Sequence, residues 1–273
     1  MKRRSLKSVI YTSLAAVILA ACAGSSADLA RTRSVSDGLG QIEVITSGTF
    51  TAALNILGPL FEQATGIEVV TSYGSSTGGG PESIPVRIDR GEIFDVLILG
   101  RASLDQLMDE GEIRPTSPVN LARAEVGMAV RRGEPKPDIS TRESFIETLL
   151  AAESIGYSAS VSGTYLSTVL FPQLGVWDEI ESKTLRVVTE RVGIVVARGD
   201  VEIGFQAVSE ILPIEGIDLA GTLPAELQQE SWFAAGIMQT AENPEVAQRL
   251  IEFLNSEAAA PIIESTGLRP NPR

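Results

Sequence analysis

From Ile42 onward the chain alternates short β-branched runs with longer stretches whose apolar residues recur every three or four positions. That alternation predicts strands and amphipathic helices in turn, the pattern of a parallel α/β architecture. Ile42 to Thr46 is the first predicted strand, and Thr51 to Ala64 the first helix, with Leu54, Leu57, Phe61 and Ala64 on one face. Gly58-Pro59 is expected to interrupt and kink that helix, and Thr65-Gly66 to end it. Strands at Val69 to Tyr73 and Val96 to Leu99 follow, with a segment around Arg87 and a helix over Ser103 to Glu110 beside them. A second unit starts near Val126 to Val130. Its helix over Glu143 to Ala152 opens with Ser140-x-x-Glu143, a capping-box spacing. A strand at Ile155 to Ser158 and a helix from Thr164 to Leu174 come next, and Leu185 to Val188, Val192 to Ala197 and Glu202 to Phe205 continue the alternation. Ser231 to Met238 is strand-like again. The last helix is the clearest: Asn243-Pro244 supplies a cap and a first-turn proline, and Val246, Leu250, Phe253 and Leu254 form its stripe.

The first 41 residues read differently. Lys2, Arg3, Arg4 and Lys7 form a basic head, Val9 to Leu19 an apolar run, and Leu19-Ala20-Ala21-Cys22 a small-residue close. The run is too short for a bilayer span and reads as a secretory signal. Its ending resembles a bacterial lipobox, which implies that Cys22 is lipidated and becomes the first mature residue. Residues 23–41, rich in Ser, Gly, Arg and Asp, read as a flexible tether. The expected location is outside the cytoplasm, lipid-anchored to a membrane that faces the periplasm or the exterior.

Composition narrows the chemistry. The chain has no histidine and one cysteine, so neither a Ser-His-Asp nor a Cys-His nucleophile can be assembled. A zinc site would lack imidazole and thiolate alike, and no metal or other cofactor is implied. Without a disulfide, stability must come from the core, and 273 residues at 44% hydrophobic content suffice for about two domains. The net charge is −13, and about −17 once the basic signal is removed, which argues against nucleic acid or an anionic lipid surface as partner.

Three loops rich in small residues follow predicted strands and precede helices: Thr46-Ser47-Gly48-Thr49, Gly74-Ser75-Ser76-Thr77-Gly78-Gly79-Gly80, and Ser160-Val161-Ser162-Gly163-Thr164. Ligands of open α/β sheets bind outside the carboxyl ends of strands, where hydroxyls and free helix N–H groups suit an anion. Gly78-Gly79-Gly80 is followed by Pro81-Glu82 rather than a lysine, which argues against a nucleotide phosphate loop. Arg101, just past the Val96 to Leu99 strand, is a candidate partner for a carboxylate or oxyanion.

These residues carry a resemblance. Val44-Ile45-Thr46-Ser47-Gly48-Thr49, the stretch Phe61 to Gly66 before Val69 to Ser76, Arg90-Gly91-Glu92 with Asp95 to Ile98, and Asn243 to Leu254 ending at Gly267-Leu268 are similar to a periplasmic solute-binding protein of an ABC importer, nearest the molybdate-binding branch. The resemblance implies a two-lobed fold, each lobe a mostly parallel sheet flanked by helices, with the ligand cleft between them. Lobe 1 would comprise residues 42–122 and 233–273, and lobe 2 residues 123–232. Carried over, the ligand-holding positions fall on Thr49, Ser75 or Ser76, and Ser162. Gln206 stands where the family places a tyrosine, in Gly204-Phe205-Gln206-Ala207. Gly78 to Pro81 and Arg101 also depart from the branch and suit a larger or carboxylated ligand. The expected function is a monomeric, anchored receptor that captures a small anion, molybdate-like or carboxylate, by lobe closure and delivers it to a permease, without catalysis. The alternatives are a ligand sensor signalling to a membrane partner, or an enzyme on the same scaffold.

Overall fold

A computed structural model of the protein describes residues 40–77, 79–229 and 231–272. The predicted signal, Cys22, almost all of the tether and Gly78 lie outside the described residues. In chain order the strands are β1 (Gln41–Ser47), β2 (Glu68–Gly74), β3 (Val96–Gly100), β4 (Val119–Ala124), β5 (Val126–Arg131), β6 (Ile155–Ser158), β7 (Thr184–Val187), β8 (Ile203–Ala207), β9 (Ile217–Thr222), β10 (Ser231–Ile237) and β11 (Leu268–Pro270). The helices are α1 (Gly48–Thr65), α2 (Ile84–Asp89), α3 (Arg101–Asp109), α4 (Arg142–Ala151), α5 (Val161–Tyr165), α6 (Phe171–Leu174), α7 (Trp177–Ile180), α8 (Val192–Arg198), α9 (Val208–Ile211), α10 (Pro244–Leu254) and α11 (Ala260–Ser265).

The strands form two sheets, ordered β11-β4-β10-β3-β1-β2 and β7-β6-β8-β5-β9. In the first, β1 lies parallel to β2 and β3, while β10 runs antiparallel to β3 and β4. In the second, β6 is parallel to β7 and β8, while β5 is antiparallel to β8 and β9. The chain leaves one sheet for the other at Glu125 and returns between β9 and β10. The strand entered at each crossing, β5 and then β10, runs against the parallel set of its sheet, so both sheets are mixed.

Each sheet is covered on both faces. Val44, Val96 and Ile98 point into one layer with Leu54, Leu57 and Phe61 of α1 and Leu250 and Ile251 of α10. Ile45, Leu97 and Leu99 point the other way, against Leu104 and Leu107 of α3. That two-period switch is what places adjacent strand residues in different cores. The second sheet packs Met128, Phe145, Phe171 and Phe205 on one face, with Phe145 edge-on to Phe205. Val192, Val195 and Val196 of α8 cover the other.

Several local expectations change. α1 starts three residues before Thr51 and runs unbroken through Gly58-Pro59 to Gly66, whose φ of 72° closes it. Pro59 sits on the solvent face, where water can replace the hydrogen bond it cannot make. Ala64 is exposed rather than part of the buried stripe. The capping box of α4 is Thr141 with Ser144, one register on from Ser140 and Glu143: each side chain accepts from the other's backbone N–H at 3.1 Å. The helix expected over Thr164 to Leu174 begins at Val161 and contains a π-helical turn at Leu166–Leu170. In α10 the buried stripe rotates to include Ala247 and Ile251, leaving Val246 and Phe253 at its edge.

Candidate functional site

The carboxyl ends of β1, β2, β6 and β8, with the turn after β7, open on one cleft of about 410 Å³ between the two lobes. Parallel strands end together on one edge, which is why residues far apart in sequence converge there. β1 passes directly into α1, so Ser47, Gly48 and Thr49 stand at a helix N-terminus with no acidic residue in its first turn. On the facing lobe Ser158 ends β6, its hydroxyl 2.8 Å from that of Ser160 and 3.2 Å from that of Ser162.

The base of the cleft is a carboxyl group. Glu210, in α9 directly after β8, is only 7% exposed. Thr49 donates to its Oε1 at 2.7 Å and the Gln206 amide donates to its Oε2 at 2.5 Å. The Gln206 carbonyl in turn accepts from the Val192 N–H at 2.9 Å, so the amide cannot flip and Oε2 is held as an acceptor. A proton on Glu210 therefore belongs on Oε1, shared with the Thr49 hydroxyl. Burial raises the pKa of Glu210 above the ordinary carboxylate value, against the opposing pull of Thr49, Arg191 and Gln206. Beside it, the Ser209 hydroxyl donates to the Thr49 carbonyl at 2.8 Å. A Cβ at position 48 would stand 2.8 Å from the Glu210 Oε2, so glycine there lets the carboxyl reach the start of α1.

Of the positions singled out from sequence, Ser47, Gly48, Thr49, Ser75, Ser76, Thr77, Ser162 and Gln206 line this cleft. Ser76 is already engaged, accepting from the Gly100 N–H at 2.9 Å. Gly163 and Thr164 stand outside the lining, Gly163 pressed against the Ser158 carbonyl and Thr164 exposed. Arg101 is also outside it, bonded to Asp105 at 2.7 Å and Asn120 at 3.1 Å. Trp177 stacks on Phe171 in the core, and Trp232 lies under the Arg123 guanidinium.

Two lining residues escaped sequence reasoning. Glu210 is the only charge between Glu202 and Glu215, a lone acid in an apolar run, and that was its available signal. Arg191 sits at the N-cap position of α8, in a turn without glycine, and is the only Lys or Arg of the lining among the described residues. It is half-buried. Among the described residues no three His, Cys, Asp or Glu side chains converge as a metal site.

The chain is 37% identical over 231 residues to the aconitate isomerase of a Pseudomonas species, covering 85% of this chain and 88% of that protein. This similarity to an enzyme overturns the expectation of a receptor without catalysis, which followed from the resemblance to a solute-binding protein and agreed with the missing histidine. A missing histidine does not preclude proton transfer, because a suitably placed carboxyl can carry a proton. In fold the chain is similar to the periplasmic molybdate-binding protein of Azotobacter vinelandii, with a TM-score of 0.68 at 22% identity over 85% of this chain and all of that one. It is likewise similar to the sulfate-binding protein SubI of Mycobacterium tuberculosis H37Rv, with a TM-score of 0.65 at 17% identity, covering 85% and 87% of the two chains. Residues 42–269, both lobes and the cleft between them, match the bacterial extracellular solute-binding proteins, and the chain belongs to that family.

Proposed function

We propose that the cleft binds a small unsaturated polycarboxylate of the aconitate class and isomerises it by moving a proton, with Glu210 as the group that carries it. The observation behind this reading is a buried carboxyl of raised pKa at the base of the cleft, in a chain similar to an aconitate isomerase. Aconitate is a propene bearing three carboxylates, with a CH2 group next to the double bond. The ionised Glu210 takes a proton from that CH2, leaving an allylic carbanion delocalised into the adjacent carboxylates. Returning the proton to the opposite end of the allyl unit moves the double bond by one carbon, and rotation before return allows either geometry. The proton removed is the proton restored, so no oxidant or co-reactant is needed. A raised pKa suits a group that must both accept and release it. A cavity of about 410 Å³ also has room for such a skeleton, more than a single tetrahedral oxyanion fills.

The protein incubated with trans-aconitate and followed by proton NMR is expected to produce the cis isomer. Glu210→Gln is expected to lower the rate by roughly 10²- to 10⁴-fold, the usual contribution of a positioned proton carrier. No interconversion by the wild type between pH 5 and 9 would remove this reading.

The family membership supports a second role for the same cleft: capture of a small anion by lobe closure and its delivery to an ABC permease, or its report to a membrane partner. In that role Cys22 carries the lipid and the protein works as a tethered monomer outside the cytoplasm. Saturable binding of aconitate without turnover would favour it.

A further inference from the structure

Among the described residues, three buried side-chain hydroxyls have no hydrogen-bond partner, and all three, Ser47, Thr77 and Ser83, line the lobe-1 wall of the cleft. Ser47 and Ser83 are each 2% exposed. Neighbouring hydroxyls are satisfied: Thr51 donates to the Ser47 carbonyl at 3.0 Å and Ser75 to the Thr77 carbonyl at 2.6 Å. A buried hydroxyl left unpaired costs about 1–3 kcal/mol, and native structures keep few of them. The three belong to one patch. Ser47 pairs across β1–β2 with Gly74, the next residue Ser75 bridges to Ser83, and Thr77 follows two positions on. Ser83 precedes α2 and Ser47 precedes α1, yet neither side chain caps its helix. The 18-residue α1 adds free N–H groups and has no acidic residue in its first turn. Across the cleft stands Arg191, the only cation of the lining among the described residues.

We propose that Ser47, Thr77 and Ser83 form a carboxylate subsite on lobe 1 and that Arg191 takes a second carboxylate from lobe 2. The cleft then selects short carbon chains that bear carboxylates at both ends. Three hydroxyl donors match the lone pairs of one carboxylate without adding charge, and a guanidinium fixes the other in a two-pronged bond. Such a ligand contacts both lobes, so a two-ended anion stabilises their closed arrangement and a one-ended anion does not. The proposal rests on the polycarboxylate reading above, but it concerns recognition and not turnover.

Tricarballylate, the saturated counterpart of aconitate, separates the two because it has no double bond to isomerise. Calorimetric titration of the full chain is expected to show tricarballylate binding, with the monocarboxylate crotonate and molybdate far weaker. Ser47→Ala and Ser83→Ala should each weaken tricarballylate by about tenfold, the loss of one charge-assisted hydrogen bond. Arg191→Gln should weaken it more and leave crotonate unchanged. Without ligand, both alanine variants should unfold at or above the wild-type temperature, since each removes an unpaired buried hydroxyl. Unchanged tricarballylate affinity in the alanine variants, or a lower unfolding temperature pointing to packing or a bound water, overturns the proposal. So does crotonate or molybdate binding as tight as tricarballylate. Failure of the isomerase reading would look different: intact, serine-dependent tricarballylate binding with no turnover of aconitate.

Discussion

Burial strips water from the Glu210 carboxylate, and the bonds from Thr49 and Gln206 with the field of Arg191 replace only part of it. The unfolded chain releases this proton near the ordinary Glu value, the folded chain only at higher pH. Between those two values the folded state holds more protons, so stability falls as pH rises through that window. Glu210→Gln removes the charge and keeps the shape. Its carbonyl can still accept from Gln206, while the Thr49 hydroxyl turns to accept from the new amide. The variant should therefore unfold at a higher temperature than wild type at pH 8, with the gain disappearing toward pH 4. A gain that is equal at both pH values would assign it to packing and not to the charge. The sequence displays Glu210 as an isolated acid in an apolar run, but not its partner, because Thr49 lies 161 positions away. Arg191 was harder still: nothing local separates it from an exposed helix cap.

Strand ends and the hydroxyl-rich turns after β1, β2 and β6 were legible, because β-branched runs and small-residue clusters are local signals. Helix boundaries were less so. The expected interruption at Gly58-Pro59 failed since the cost of a proline depends on which face it occupies, and the chain alone does not say. The loop Ser160 to Thr164 was expected as a loop and is the first turn of α5. That helix approaches β6 so closely that a Cβ on Gly163 would lie 1.7 Å from the Ser158 carbonyl oxygen. No rotamer relieves a backbone clash, so Gly163→Ala must push α5 off β6. Overpacking of this kind costs roughly 3 kcal/mol. For a protein of this size the unfolding temperature should drop by roughly 5–10 °C, read by circular dichroism. A drop of less than about 2 °C would show that α5 moves freely.

At the scale of the whole molecule, the two-lobed architecture followed from the resemblance, while the contacts that join the lobes across the cleft did not. Two hydrogen bonds cross from lobe 2 to the start of α1: Thr49 to Glu210 at 2.7 Å and Ser209 to the Thr49 carbonyl at 2.8 Å. Both come from α9, which follows β8 without a loop, so the second sheet positions the latch rigidly. The lobes also meet at the cleft edge, where a Cβ on Gly100 would stand 3.3 Å from Val161. Thr49→Val with Ser209→Ala deletes both donors while keeping side-chain volume nearly constant. Together these bonds hold the closed form by about 2 kcal/mol or more, so the double variant should shift the closed-to-open ratio by roughly thirtyfold. Small-angle scattering of the unliganded variant should show a larger radius of gyration than wild type, and saturating tricarballylate should return it to the wild-type value. The apparent affinity should fall by no more than the same factor, since the ligand then has to close lobes that were previously latched. An unliganded variant with the wild-type radius would mean that the crossings near Glu125 and before β10, rather than α9, hold the lobes together.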